Sequence, residues 1–138
     1  MQAFKGKIIL TLAAGLAALS LTSLPARAQT AQEVTTLGTH IITITLHPFL
    51  SDEDLTVLRF IASAPEALAL FITSNDGHAA IAVSPDEGFV KDGAPTAGVG
   101  ALGGLPDAET AARDAVAACQ KSATTPTPCQ VILQISPK

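Results

Sequence analysis

Hydrophobic and polar side chains alternate strictly in one early part of the chain. Apolar residues occupy every second position there and threonines fill the gaps, in the run Ile42-Thr43-Ile44-Thr45-Leu46. A period of two with β-branched side chains predicts a half-buried strand, here over residues 39–47. Pro48 ends this strand because proline has no amide hydrogen to donate to a neighbouring strand. Residues 29–37, which are mostly polar, are predicted to form a flexible leader.

The next segment has the spacing of an amphipathic helix, predicted over residues 52–62. Its apolar side chains recur every three or four positions and share one helical face, at Leu55, Leu58, Ile61 and Ala62. Ser51 precedes the helix as an N-cap, and Asp54 follows three residues later, at the second position of a capping box. Pro65 ends the helix.

A hairpin is predicted in the middle of the chain. Residues 67–72 are almost all apolar, which favours a buried strand, with a short helix after Pro65 as the alternative. Asn75-Asp76-Gly77 is a turn sequence, and residues 80–83 are predicted to be the returning strand.

The chain changes character from Ser84 to Pro106, where prolines and glycines are concentrated. This segment is predicted to be a long surface loop, with a short strand near Phe89 and Val90. A second helix then follows over residues 108–121, capped by Asp107 and carrying a narrow stripe made mostly of alanine. Residues 131–135 alternate again and form the last strand.

The predicted order of elements is therefore strand, helix, strand, strand, helix, strand, in a single small domain over residues 38–138. This order predicts an α+β fold with a mostly antiparallel four-stranded sheet and both helices on one face. The ferredoxin-like arrangement is the fold that this order favours.

The first 28 residues have the three parts of a secretory signal peptide. Lys5 and Lys7 supply positive charge, an apolar stretch covers residues 8–24, and Ala26-Arg27-Ala28 is a cleavage sequence. Cleavage after Ala28 would send the product to the periplasm or outside the cell. No later segment is long and apolar enough to insert stably into a membrane after that cleavage.

Removal of this peptide would make the chain more acidic. Eight basic and twelve acidic residues give a net charge of −4, and cleavage would leave five basic residues against the same twelve acids, a net charge of −7. Nucleic acids and anionic membranes attract basic surfaces, so the composition excludes nucleic acid as a partner and disfavours a membrane surface.

Two cysteines, Cys119 and Cys129, are predicted to form a structural disulfide, because disulfides persist in oxidising compartments. A redox role is disfavoured, since redox pairs commonly occur as C-x-x-C at a helix N-terminus, whereas Cys119 ends a helix. Such a link would stabilise the fold by about 3 kcal/mol.

The second half of the chain also resembles a set of small secreted modules of unknown function. Their pattern is a GAIA strand and turn, an alanine-rich helix that ends in Cys and a strand that starts with Cys; here these correspond to residues 79–88, 108–119 and 129–132. The chain departs from the pattern in having Ala79 in place of Gly, and a longer loop before the helix. The resemblance implies the disulfide and helix–strand packing, and it implies no activity.

Motifs for catalysis, cofactors or metals are weak. Gly98, Gly100 and Gly103 match G-x-G-x-x-G, but no strong strand leads into them, so a mobile glycine loop is favoured over a nucleotide site and no cofactor is predicted. His40, His47 and His78 lack the spacing of metal ligands, and no metal is predicted. The acidic clusters at residues 52–54 and 86–87 are explained by helix capping and turns, and no G-x-S-x-G sequence is present, which disfavours an enzyme.

We therefore expect a non-catalytic binding or structural module of the cell envelope, with an envelope protein as its partner. Val99 and Leu102 are predicted contact residues because the long loop over residues 85–106 combines flexible glycines with apolar side chains. Asn75 and Asp76, in the predicted hairpin turn, are predicted to contact the partner together with this loop. Two alternatives stay open: a small hydrolase that uses surface carboxylates and His78, and a carrier of an envelope ligand or metal, which an apolar cavity would favour.

Overall fold

A computed structural model describes residues 30–70 and 77–138 of the chain. The predicted signal peptide with its cleavage site after Ala28, and the predicted turn residues Asn75 and Asp76, lie outside the described residues.

The described elements alternate between strands and helices. In chain order they are β1 (Gln32–Leu37), β2 (His40–Thr45), α1 (Asp52–Ser63), α2 (Pro65–Leu68), β3 (His78–Val83), β4 (Val90–Lys91), β5 (Ala94–Pro95), β6 (Val99–Leu105), α3 (Ala108–Ser122) and β7 (Gln130–Pro137).

The main sheet has five strands in the order β1-β2-β7-β3-β6, and all neighbouring strands are antiparallel. The predicted α+β class with a mostly antiparallel sheet is confirmed. The predicted count of four strands and the ferredoxin-like order are wrong, because a strand is added at each edge and the strand predicted over residues 67–72 is not part of the sheet in its described residues. Residues 32–37, predicted as a leader, form β1, and residues 99–105, predicted as loop, form β6.

The first of these strands is added by a tight hairpin. Leu37 pairs with His40, so only Gly38 and Thr39 form the connection between β1 and β2. Gly38 has φ of 61°, as the first central position of a two-residue hairpin loop requires. Once this turn forms, β1 pairs along the whole of β2.

The prediction of a strand over residues 67–72 is wrong for residues 67–70, which are the described part of that range. Pro65–Leu68 form the short helix α2, which was the alternative interpretation. Proline favours this outcome because its fixed φ suits the first position of a helix. β3 pairs with β7 on one side and with β6 on the other.

The helices lie on opposite faces of the sheet, so the prediction of both on one face is wrong. Side chains of successive strand residues point to opposite faces. In β3, Ala79, Ile81 and Val83 pack in one core cluster with α1 and α2, whereas Ala80 and Ala82 pack in a second cluster with α3. A central strand that is apolar on both faces needs a cover on each side, and the two sets of helices provide it.

The capping box at the start of α1 is confirmed. The Ser51 hydroxyl accepts a hydrogen bond from the Asp54 amide, and the Asp54 carboxylate accepts one from the Ser51 amide. Among the described helices, none combines the length and hydropathy that a membrane crossing needs.

Candidate functional site

The two described contact residues that the sequence predicted, Val99 and Leu102, lie on the edge strand β6. Val99 is half-buried and packs against the core cluster under α1. Leu102 is also half-buried and pairs with Ala80, so it shares the α3 side of the sheet with that residue. These positions are therefore held in a sheet and do not lie in a free loop.

Two glycines, Gly98 just before β6 and Gly100 within it, permit close packing against the neighbouring residues. A Cβ at Gly100 would overlap the carbonyl oxygen of Ala115 and the amide nitrogen of Cys119 in α3. A Cβ at Gly98 would overlap the side chains of Glu87 and Ser84. The backbone of α3 can lie directly on β6 only because Gly100 has no side chain. The prediction of a mobile glycine loop is accordingly wrong for residues 99–105, which form β6, and Gly98 and Gly100 permit close packing.

The outer edge of β6 presents backbone groups away from the sheet. The Ser84 amide donates to the Gly98 carbonyl at 2.8 Å, and Gly100 is in register with Ala82. Hydrogen-bonded and non-hydrogen-bonded pairs alternate along an antiparallel ladder, so the N–H and C=O of Val99 and Ala101 point away from β3.

This edge carries no charge. Residues 94–106 contain no Asp, Glu, Lys, Arg or His, and Ala101, Gly103 and Gly104 are exposed. Natural edge strands are commonly protected by charged side chains or proline. The β1 edge differs in this respect, because Glu33 there forms a salt bridge with Arg59 at 2.6 Å, and that contact lowers the pKa of the Glu33 carboxyl.

A bulge limits the length of the regular edge. The register between β3 and β6 shifts between His78 and Ala80, and Gly104 has φ of 71°. One extra residue on β6 with a left-handed glycine is typical of such bulges. The regular part of β6 is therefore the four residues from Val99 to Leu102, whose outward groups belong to Val99 and Ala101.

The segment that leads into β6 is fixed by carboxylates. Asp54, only 2% exposed, accepts hydrogen bonds from the amides of Phe89 at 3.2 Å and Val90 at 2.8 Å. Glu87 accepts two from Thr124, and Glu53 accepts one from the Gly93 amide. Within the two acidic clusters, the carboxylates of Glu53, Asp54 and Glu87 thus serve as hydrogen-bond acceptors within the fold.

The predicted disulfide between Cys119 and Cys129 is confirmed. It joins the end of α3 to the start of β7, and both residues are buried, at 0% and 5% exposure. Thiol–disulfide exchange requires access to a sulfur atom. The burial of this pair therefore fits a structural role.

The three histidines occupy separate environments. The His47 Nε2 hydrogen-bonds the Val131 carbonyl at 2.9 Å, and its ring stacks on Phe49. The buried Nδ1 of His78 has no hydrogen-bond partner within the described part of the chain. His78 also contributes to the lowered pKa of the Asp107 carboxyl, whose main cause is the hydrogen bond from the Thr110 amide. Within residues 30–70 and 77–138, no three His, Cys, Asp or Glu side chains gather as metal ligands.

His40 belongs to a cleft that the sequence did not indicate. The cleft has a volume of about 410 Å³ and lies between the β1–β2 hairpin and α2. Its lining consists of Leu37, Gly38, Thr39, His40, Pro65, Leu68 and Ala69. The lining residues form two groups, over residues 37–40 and 65–69, that are more than twenty positions apart in the chain and share no periodic pattern. Only the tertiary structure therefore identifies the cleft.

Comparison of the chain with protein-family models, with curated proteins and with solved structures gives no match.

Proposed function

We propose that the protein is a non-catalytic binding module of the cell envelope, and that the β6 edge is where it meets an extended segment of an envelope protein. The observation that carries this proposal is the uncharged outer edge of β6, with the backbone groups of Val99 and Ala101 directed outward. An added strand would pair with these groups, as in recognition by β-augmentation.

Rigidity of the edge supports the proposal. α3 lies directly on Gly100, and the preceding segment is held by Asp54 and Glu87. Binding to a pre-formed strand avoids the entropy cost of ordering a loop at the moment of contact. Val99 and Ala101 would add apolar contacts on one face of the joined strands, and Leu102 would add one on the other.

Charge also supports this location. The chain carries a net charge of −4, which would become −7 without the first 28 residues, so much of its surface repels acidic partners. The neutral run over residues 94–106 lets a partner approach without like-charge repulsion. The hydrolase alternative receives no comparable support, because Glu53, Asp54 and Glu87 of the acidic clusters serve as hydrogen-bond acceptors inside the fold.

Two variants of Ala101 test the proposal. Ala101→Pro removes an amide that faces outward, so it should leave the pairing with β3 intact while it eliminates the donor that a partner strand needs. Ala101→Val is the matched control, because it keeps that amide and adds a side chain that suits a strand. Both variants should melt within a few degrees of the wild type.

Binding is measured by photo-crosslinking in the native host, with a benzophenone amino acid in place of the exposed Ala97. We expect a discrete adduct that persists with Ala101→Val and disappears with Ala101→Pro. The same probe in place of Val34, on the β1 edge, should give no adduct. An adduct that survives Ala101→Pro, or one that forms only at Val34, would refute the assignment, and an adduct of twice the chain mass would identify the partner as a second copy.

A further inference from the structure

We infer that the cleft beside His40 is a binding site for a small molecule that has an apolar body and one hydrogen-bonding group, such as a hydroxyl or a carbonyl. This site is separate from the β6 edge, and the inference does not depend on the partner proposed there.

The first support is an unpartnered polar atom. His40 is 7% exposed, and its Nε2 is buried with no hydrogen-bond partner among residues 30–70 and 77–138. A buried polar group that lacks a partner is costly, so native structures rarely contain one without a reason. A ligand group that bonds to the imidazole would remove this cost, and His40 is one of the residues that line the cleft.

The second support is the character of the surrounding wall. The wall is apolar on both sides of the cleft. The hairpin contributes Leu37, and α2 with its C-cap contributes Pro65, Leu68 and Ala69. Leu70, the residue after Ala69, is also apolar and is 81% exposed. A mostly apolar concavity with few polar groups is typical of small-molecule sites, and about 410 Å³ lies within their usual range.

The third support is that the backbone around the cleft is fixed. β1 and β2 pair up to the two-residue turn at Gly38 and Thr39, and the Lys138 amide donates to the Thr39 carbonyl at 2.8 Å. Pro137 lies in register with His40 on the neighbouring strand β7. One wall of the cleft is therefore held by three adjacent strands, which favours a pre-formed site.

The chemical class of the ligand follows from this combination. A charged molecule would lose its hydration against apolar walls without gaining a charged partner from the lining residues. A pure hydrocarbon would leave the imidazole nitrogen unsatisfied. An apolar molecule with one hydroxyl or carbonyl satisfies both conditions.

Toluene and 4-methylphenol are a matched pair of probes, because they differ only in a hydroxyl. Titration of isotope-labelled protein by NMR should shift the amides of Gly38, Thr39 and Ala69 with both probes. Only 4-methylphenol should shift the His40 ring nitrogens. In an apolar site without a partner, the cost of dehydrating the hydroxyl would make 4-methylphenol the weaker ligand. In the wild type we expect it to bind at least as tightly as toluene.

His40→Phe keeps the aromatic ring and removes both nitrogens. We expect the affinity for 4-methylphenol to fall about fivefold relative to toluene, the size of one net hydrogen bond of about 1 kcal/mol. His47→Phe is the matched control and should leave the ratio unchanged, since His47 bonds the Val131 carbonyl and is not among the lining residues. Ala69→Leu should weaken both probes by filling the cleft, and it serves as a second test if His40→Phe does not fold.

Three results would overturn the inference. The first is that neither probe shifts the amides around the cleft. The second is that His40→Phe does not change the affinity for 4-methylphenol relative to toluene. The third is that Ala69→Leu binds both probes as tightly as the wild type does. Ala101→Pro should bind both probes as the wild type does, so failure at the cleft and failure at the β6 edge are distinguishable.

Discussion

The Asp54 carboxylate accepts a hydrogen bond from the Val90 amide at 2.8 Å, although the two residues are 36 positions apart in the chain. The same oxygen accepts from Phe89, while the other carboxylate oxygen accepts from Ser51. One buried side chain therefore caps α1 and fixes the segment that leads to β6. The charge is compensated by backbone amides at a helix N-terminus and needs no basic side chain.

Asp54→Asn should destabilise the fold by about 2 to 3 kcal/mol, because an amide group cannot accept from three backbone amides and turns a donor toward at least one of them. The adjacent Asp52→Asn is the control, since Asp52 is exposed and should cost only a few tenths of a kcal/mol through the helix dipole. Urea denaturation of both variants measures the difference, and equal midpoints would contradict the role assigned to Asp54.

Gly100→Ala should be strongly destabilising, by about 2 to 4 kcal/mol, because the added methyl overlaps the backbone of α3 and the helix must move away from the strand. Ala101→Val adds two methyls at the next residue, which is exposed, and should change stability by less than about 0.5 kcal/mol. Thermal melting compares the two variants. A fully stable Gly100→Ala would mean that α3 does not lie on β6.

Removal of the disulfide by the double change Cys119→Ala and Cys129→Ala should cost about 3 kcal/mol in the chain-entropy estimate. Alanine suits both sites because both cysteines are buried. Protein unfolded without reductant should take up no thiol reagent, and folded protein should resist mild reductant. Rapid reduction of the folded protein would argue for a redox function in place of a structural one.

The Asp107 carboxyl should titrate below its ordinary pKa, because the Thr110 amide and hydroxyl donate to its ionised form. A pKa that is lower in the folded state gives a stabilising contribution that is complete above the unfolded pKa. That contribution is lost as the pH falls through the folded pKa. Asp107→Asn keeps a capping oxygen without this titration, so its stability relative to the wild type should improve on acidification. A difference that stays constant from neutral pH to about pH 2 would contradict the assignment.

Several elements can be predicted from patterns of residues that are close in the sequence, without any tertiary contact. The Ile–Thr alternation at residues 42–45 predicted β2, because a strand with one buried face requires that period. The Ser51–Asp54 pair predicted the start of α1, since the capping box satisfies backbone amides within four residues. The cysteine pair was predicted for a similar reason, as a short loop joins the end of α3 to the start of β7.

The edges of the sheet were missed because their signals are weak or masked. β1 is mostly polar and exposed, so its sequence resembles a leader, and it is a strand because a tight turn at Gly38 places it beside β2. In β6 the glycines needed for contact with α3 dilute the strand pattern. A glycine that is required by a neighbouring helix cannot be distinguished, in sequence, from a glycine that makes a loop flexible.

The sequence by itself determined local periods, the helix caps and the disulfide, because each depends on residues that are close in the chain. It also placed Val99 and Leu102 in a segment of unusual apolar character. Only the tertiary structure decided which face each helix covers, that the backbone groups of Val99 and Ala101 point away from β3, and that His40 lies in a cleft with Leu68. These features arise from side chains and strands that meet across long sequence separations, and no local pattern encodes such meetings.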